Sequence, residues 1–161
     1  MNEHQNLPGG VTHQFTTAQH LHRAGRLPEA ETLYREVLRA EPEHPEALLF
    51  LGLLRHQQGH GDEALALMRR AIARQPGLPH YHCNLAVVLA GRGLAVEAMA
   101  AYRQALALKP DYPEAHLNLG ILLKEQGEIE QAIGHYRKAI EGNPALAPAY
   151  NSLGNALRER G

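Results

Sequence analysis

The chain has 161 residues with 16 basic and 17 acidic side chains, so its charge gives no attraction to nucleic acid or an anionic membrane. Its single cysteine excludes an internal disulfide framework, and no stretch approaches the roughly 18 apolar residues that a membrane-spanning helix needs. The N-terminal segment lacks the basic and apolar regions of a signal peptide, so we predict a soluble, cytoplasmic protein without membrane insertion.

The sequence repeats itself with a fixed period. A proline recurs every 34 residues, at Pro42, Pro76, Pro110 and Pro144, and other small and large residues keep the same step. Self-similarity at this period indicates a repeat array, in which each repeat contacts its neighbours and the array offers an extended surface.

In chain order, residues 1–10 are polar, and we predict that they form a flexible lead-in. Four full repeats follow, and their predicted bounds are 11–44, 45–78, 79–112 and 113–146. Residues 147–161 are predicted to be the first helix of a fifth repeat or a C-terminal capping helix. Because their apolar pattern is that of an internal first helix, we expect a chain cut from a longer array; the rival interpretation is a complete small adaptor.

Each repeat contains two segments with apolar residues at helical spacing, and the fourth repeat shows how they are bounded. Gly127 is expected to end the first helix, since a left-handed C-cap costs glycine nothing sterically. Pro113 suits a helix start, because a backbone N–H in the first turn has no intrahelical acceptor and proline loses nothing by lacking one. Pro110 lies just past the preceding helix and prevents its continuation. No segment has the pattern of a strand, so the predicted fold class is all-α.

Small residues recur where two helices of one repeat should cross. Ala98 has counterparts at the same step in the other three full repeats, and Gly120 is equivalent to an alanine or a glycine in every copy. Facing small side chains let two antiparallel helices approach closely, and the large counterparts of Tyr136 fill the adjoining space.

These residues together resemble the tetratricopeptide repeat (TPR) family over residues 11–161. In the fourth repeat, the residues that carry the resemblance are His116, Leu119, Gly120, Leu123, Gly127, Ala132, Tyr136 and Pro144. Two departures are visible. Arg55 stands where other copies have leucine, which should loosen local packing without threatening the fold, and the large first residue of the pattern is never tryptophan.

The resemblance implies a right-handed α-solenoid of antiparallel helix pairs, whose first helices line a concave groove that holds a partner peptide. The positions that should face this groove are Phe15, Gln19, Leu49, Leu53, His56, Cys83, Asn84, Val87, Leu117, Asn118, Ile121, Lys124, Asn151 and Asn155. The centre of this predicted groove is mostly apolar. The lysine and asparagine clamp of chaperone-binding TPR domains is not recognisable at these positions.

Asn84 and Asn118 resemble the start of the asparagine ladder in the TPR superhelix of O-linked N-acetylglucosamine transferases. There the ladder hydrogen-bonds the backbone of an extended peptide. An asparagine amide can donate and accept at once, so it can bond a peptide group whatever the neighbouring side chain is.

No sequence feature indicates catalysis or metal binding. The chain contains no glycine-rich phosphate loop, nucleophile elbow, CxxC or HExxH motif, so we expect no catalytic residue, no metal and no cofactor. The sequence therefore predicts a scaffold that binds a protein or peptide partner and no nucleic acid. Two alternatives stay open: the substrate-recruiting arm of a larger bacterial enzyme such as an O-linked glycosyltransferase, and a module that assembles with copies of itself.

Overall fold

A computed structural model describes residues 8–161, and within that range the protein consists of nine α-helices with no β-strand. The all-α fold class is thus confirmed. The helices are α1 (Pro8–Arg23), α2 (Leu27–Ala40), α3 (Pro45–Gln57), α4 (Gly61–Arg74), α5 (Pro79–Gly91), α6 (Ala95–Leu108), α7 (Pro113–Glu125), α8 (Ile129–Gly142) and α9 (Ala147–Arg160).

The described residues form two compact units, which divide between Pro76 and Gly77. In the first unit, α1 packs on α2, α2 on α3, and α3 on α4. In the second unit, each helix from α5 to α9 packs on the next, and α7 also contacts α9. Three-residue turns within each repeat make the paired helices antiparallel.

Helix α1 begins earlier than the sequence predicts. The lead-in was expected to extend to residue 10, whereas the helix starts at Pro8. Proline is compatible with a first turn because the N–H groups there have no intrahelical acceptor. Residues 1–7 of the predicted lead-in lie outside the described residues.

The turn glycine ends the first helix of each full repeat as predicted. Gly127 has a φ of +82°, and its counterparts in the other repeats are also left-handed. The N–H of Glu128 donates to the Leu123 carbonyl at 2.9 Å, and the N–H of Gly127 donates to the Lys124 carbonyl at 2.9 Å. These two bonds form a Schellman cap, which satisfies carbonyl groups that the helix end would otherwise leave unpaired.

The predicted small-residue contacts form the interior of each helix pair. Ala98 and its three counterparts are fully buried. A Cβ atom added to Gly120 would lie 2.6 Å from Cε1 of Tyr136, so α7 and α8 approach too closely there for a methyl group. Gly154 is the equivalent residue of α9, and an added Cβ there would meet no atom within 4 Å.

Arg55 does not loosen the packing of the first unit as the sequence suggested. Its Nε donates to Glu63 at 2.8 Å, and its Nη1 approaches Glu31 at 3.4 Å, so one largely buried guanidinium connects α2, α3 and α4. Gln58 also donates to Glu31, at 2.8 Å. Burial disfavours the ionised Glu31, but the Gln58 bond and the charges of Arg35 and Arg55 outweigh it and hold the pKa of Glu31 below its usual value.

Candidate functional site

In the first unit, the first-helix surface carries a cluster of aromatic rings. Phe15 lies 5.1 Å from His44 and 5.8 Å from Phe50, measured between ring centroids, and Phe50 stacks on Tyr34 at 6.0 Å. Phe50 occupies the repeat position that Asn84 and Asn118 hold in later repeats. Apolar rings of this chain therefore pack against each other where the second unit presents amides.

The remaining predicted groove residues of the first unit divide into two groups. Gln19, Leu53 and His56 are half-buried, whereas Leu49 is only 1% exposed. The prediction that Leu49 faces the groove is therefore corrected: its side chain belongs to the core. Phe50, the next residue, was missed, although the 34-residue alignment places it at the asparagine position.

In the second unit, an open hollow of about 280 Å³ lies on the first helices α5 and α7. Its lining residues are Val87, Ala90, Tyr102, Asn118, Ile121, Leu122 and Glu125. Val87 is 41% exposed and Ile121 is 37% exposed, which is high for large aliphatic side chains. The hollow thus brings together three of the predicted residues, Val87, Asn118 and Ile121.

Asn118 is held in this hollow by a buried partner. The Tyr102 hydroxyl and the Asn118 amide share a hydrogen bond, and burial raises the pKa of Tyr102 above its ordinary value. Because a primary amide has two N–H donors and a carbonyl acceptor, Asn118 keeps capacity to donate and to accept after this bond is made. The side chain is therefore oriented and still able to bond a peptide group.

Two predicted groove residues of the second unit are buried instead. Cys83 is 6% exposed and Leu117 is 8% exposed, so neither reaches the open surface. Consecutive residues of an α-helix point about 100° apart, so Leu117 packs inside while Asn118 faces outward. Burial also raises the pKa of the Cys83 thiol. Asn84, next to Cys83, is half-buried.

A second hollow, of about 190 Å³, adjoins the first and shares Ile121 and Glu125 with it. It also contains Lys124 and Asn155, both predicted from sequence. The Lys124 ammonium pairs with Glu159 at 2.8 Å, and Asn155 accepts a hydrogen bond from Arg158. The predicted Asn151 is exposed on α9 but is absent from this lining.

A histidine pair, in which His116 is buried and His135 is half-buried, forms a third feature of the second unit, one that sequence reasoning missed. His116 Nε2 lies 2.8 Å from the Pro110 carbonyl, so this nitrogen carries a proton and donates. His116 Nδ1 then accepts from His135 Nδ1, 2.9 Å away. Burial and the neighbouring His116 lower the pKa of His135 to about 4, and burial also lowers the pKa of His116.

Residues 8–161 contain neither a metal-binding cluster nor a membrane-spanning helix. In this range, no three histidine, cysteine, aspartate or glutamate side chains are grouped so that they could hold a metal ion. None of the helices described is long and apolar enough to cross a membrane.

Comparisons with known proteins all point to one family. A tetratricopeptide repeat family matches residues 15–79, a second matches residues 79–104, and a TPR repeat family matches residues 96–127 and 122–161. No curated protein sequence matches the chain.

Solved structures agree with these matches. A crystal structure of MamA aligns with a TM-score of 0.81 and 26% sequence identity. The alignment covers 89% of this chain and 84% of the MamA chain. A mutant O-GlcNAc transferase from Thermobaculum terrenum aligns with a TM-score of 0.79 and 29% sequence identity. The alignment covers 88% of this chain but only 27% of the enzyme. YrrB, described as a TPR protein with an unusual peptide-binding site, is 20% identical and shares the fold, with a TM-score of 0.76 over 88% of this chain and 73% of its own. With repeat matches that reach from residue 15 to residue 161, the chain belongs to the tetratricopeptide repeat family.

Proposed function

We propose that this protein is an interaction scaffold that binds a partner peptide on the first helices of its second unit. TPR membership supports the general role, and the open hollow on α5 and α7 supports the location. Exposed apolar surface beside an oriented amide is what an extended peptide requires, because side chains gain contact area while the backbone gains a hydrogen-bond partner. The observation that carries the proposal is the exposure of Val87 and Ile121 next to Asn118.

The first unit is expected to contribute less to binding. Phe15 and Phe50 occupy its equivalent surface and pack against each other and against the buried Tyr34. Rings that already pack against each other have less surface left to bury against a ligand. This unit also has Phe50 at the repeat position where the second unit has an asparagine.

The test is selection of linear twelve-residue peptides from a random display library. The wild-type protein should enrich binders, and Ile121→Asp should lose them, because a carboxylate would be placed on the apolar floor of the hollow. Val96→Asp is the matched control, since Val96 is 75% exposed and lies on the second helix α6. Circular dichroism establishes that both variants are folded. Binders that survive Ile121→Asp, or that are lost equally in Val96→Asp, would exclude this location.

A second candidate function is recruitment of substrates for a glycosyltransferase. The likeness to the Thermobaculum terrenum enzyme covers 27% of that protein, and Asn118 stands at the ladder position. If this candidate is correct, the gene encodes a glycosyltransferase domain in the same reading frame beyond residue 161. Sequencing of the locus decides the question, and a stop codon at that point would refute this candidate while leaving the scaffold intact.

A further inference from the structure

The hollow on α5 and α7 has a strong asymmetry of charge. Among its lining residues Glu125 is the one charged side chain, and within residues 8–161 its carboxylate has no hydrogen bond or ion pair. The neighbouring cation, Lys124, is neutralised by Glu159 at 2.8 Å. An unneutralised carboxylate therefore stands at one end of an otherwise uncharged surface.

The backbone adds to this negative potential. Ala90 is on the last turn of α5 and Glu125 is the last residue of α7, and Val87 and Ile121 lie just before these last turns. The C-terminal end of a helix carries a partial negative charge and favours a nearby cation. The potential extends into the adjoining hollow, since the pKa of Tyr136 is raised by burial first and then by Glu125 and Glu159.

The spacing along α7 matches the spacing of an extended peptide. Ile121 and Glu125 are four residues apart, which corresponds to a rise of about 6 Å along a helix. In an extended chain, residues i and i+2 point to the same side and are separated by about 6.5 Å. A peptide that follows α7 can therefore place one side chain on Ile121 and the second residue after it beside Glu125.

We propose that this hollow recognises a basic peptide motif in a partner protein, consisting of an apolar residue, any residue, and then lysine or arginine. The apolar side chain lies against Val87 and Ile121, the cation pairs with Glu125, and Asn118, which precedes Ile121 on α7, bonds the backbone before the apolar residue. This inference rests on the proposed peptide-binding function and adds to it the chemistry of the ligand.

The test uses a positional library of extended eight-residue peptides on the full chain. The wild-type protein should enrich lysine or arginine two positions after an apolar residue. Glu125→Lys should change that preference to aspartate or glutamate, and Glu125→Gln should lose the charge preference while retaining the apolar one. Glu141→Lys is the control, because it reverses an exposed charge in the last turn of α8, outside the hollow, and should bind as wild type does.

The contribution of the charge to affinity is measured with one selected peptide and its lysine-to-glutamine analogue. Fluorescence anisotropy should show that Glu125→Gln binds the lysine peptide about two- to fivefold more weakly than the wild type, which is the range expected for a solvent-exposed ion pair. This loss of affinity should be smaller at high salt, because salt screens the charges. Acidic or charge-independent selection by the wild type, or an unchanged preference in Glu125→Lys, would overturn the motif but leave peptide binding standing. Failure of the wild type to enrich any sequence would overturn both.

Discussion

Gly120 and Gly154 occupy the same position in successive first helices, but their surroundings differ. At Gly120, an added Cβ would lie 2.6 Å from Cε1 and 2.9 Å from Cδ1 of Tyr136, and 3.3 Å from the Ala132 carbonyl oxygen. At Gly154, the same atom would meet nothing within 4 Å. A glycine-to-alanine change should therefore have opposite effects on stability at these two equivalent positions.

The expected magnitudes combine two contributions. Alanine is favoured over glycine in a helix interior by about 0.5–1 kcal/mol, and Gly154→Ala should show this full gain. In Gly120→Ala the gain is offset by overpacking, which costs about 1–3 kcal/mol, because the buried ring of Tyr136 has to shift away from the added methyl group. The net result is destabilisation of Gly120→Ala by about 1 kcal/mol, and the two variants should differ by about 2 kcal/mol.

Thermal unfolding followed by circular dichroism measures the difference. For a chain of this size, 1 kcal/mol shifts the midpoint by about 2–4 °C. Gly134→Ala provides the control, since Gly134 is exposed on α8 and its added Cβ also meets nothing within 4 Å. It should be stabilised like Gly154→Ala. Equal stabilisation of all three variants would refute the claim that α7 and α8 are in close contact at Gly120.

Three further perturbations test other parts of the fold. Arg55→Ala should lower the free energy of unfolding by about 1–3 kcal/mol, because it removes one cation from the largely buried Glu31 and from Glu63, and urea denaturation should show a smaller loss in a Glu31→Gln background. Because the pKa of His135 is lowered to about 4 in the folded protein, the unfolded chain binds more protons between pH 4 and 6.5. Stability should thus fall by up to about 3 kcal/mol as pH decreases through that window, and urea midpoints should show that His135→Gln reduces this slope, to which His116 also contributes, whereas the exposed-site control His13→Gln leaves it unchanged. Ala98→Leu should overpack the crossing of α5 and α6 and cost about 1–3 kcal/mol in the same assay, with an unchanged midpoint contradicting the prediction.

The sequence predicts those parts of the fold that depend on local chemistry. Gly127 ends its helix because of backbone conformation, and Pro113 begins one for the same kind of reason, so both can be recognised without knowledge of distant residues. The burial of Ala98 follows from its recurrence at a fixed step. The glycine and the alanine recur in all four full repeats and the proline in three of them, and this repetition makes the pattern recognisable.

The site is less predictable because it depends on angular detail and on distant partners. Alignment shows that Leu117 and Leu49 are equivalent, but it does not show which of two adjacent positions faces outward. The pairing of His116 with His135 joins residues 19 apart on different helices. Arg55 departs from the leucine pattern, and only the folded chain brings carboxylates from two other helices to it.

The three-way contact of Arg55 with Glu31 and Glu63 restricts the order in which these positions can change during evolution. An arginine that arises first at this largely buried position would have no counter-charge, whereas loss of the arginine alone would leave both carboxylates with Arg35 as their cation. The low-cost path introduces the acidic residues, which Arg35 can already pair with, before the arginine at position 55 appears. Among relatives, arginine at this place should therefore covary with acidic residues at the other two, and sequences with leucine there should vary freely at both.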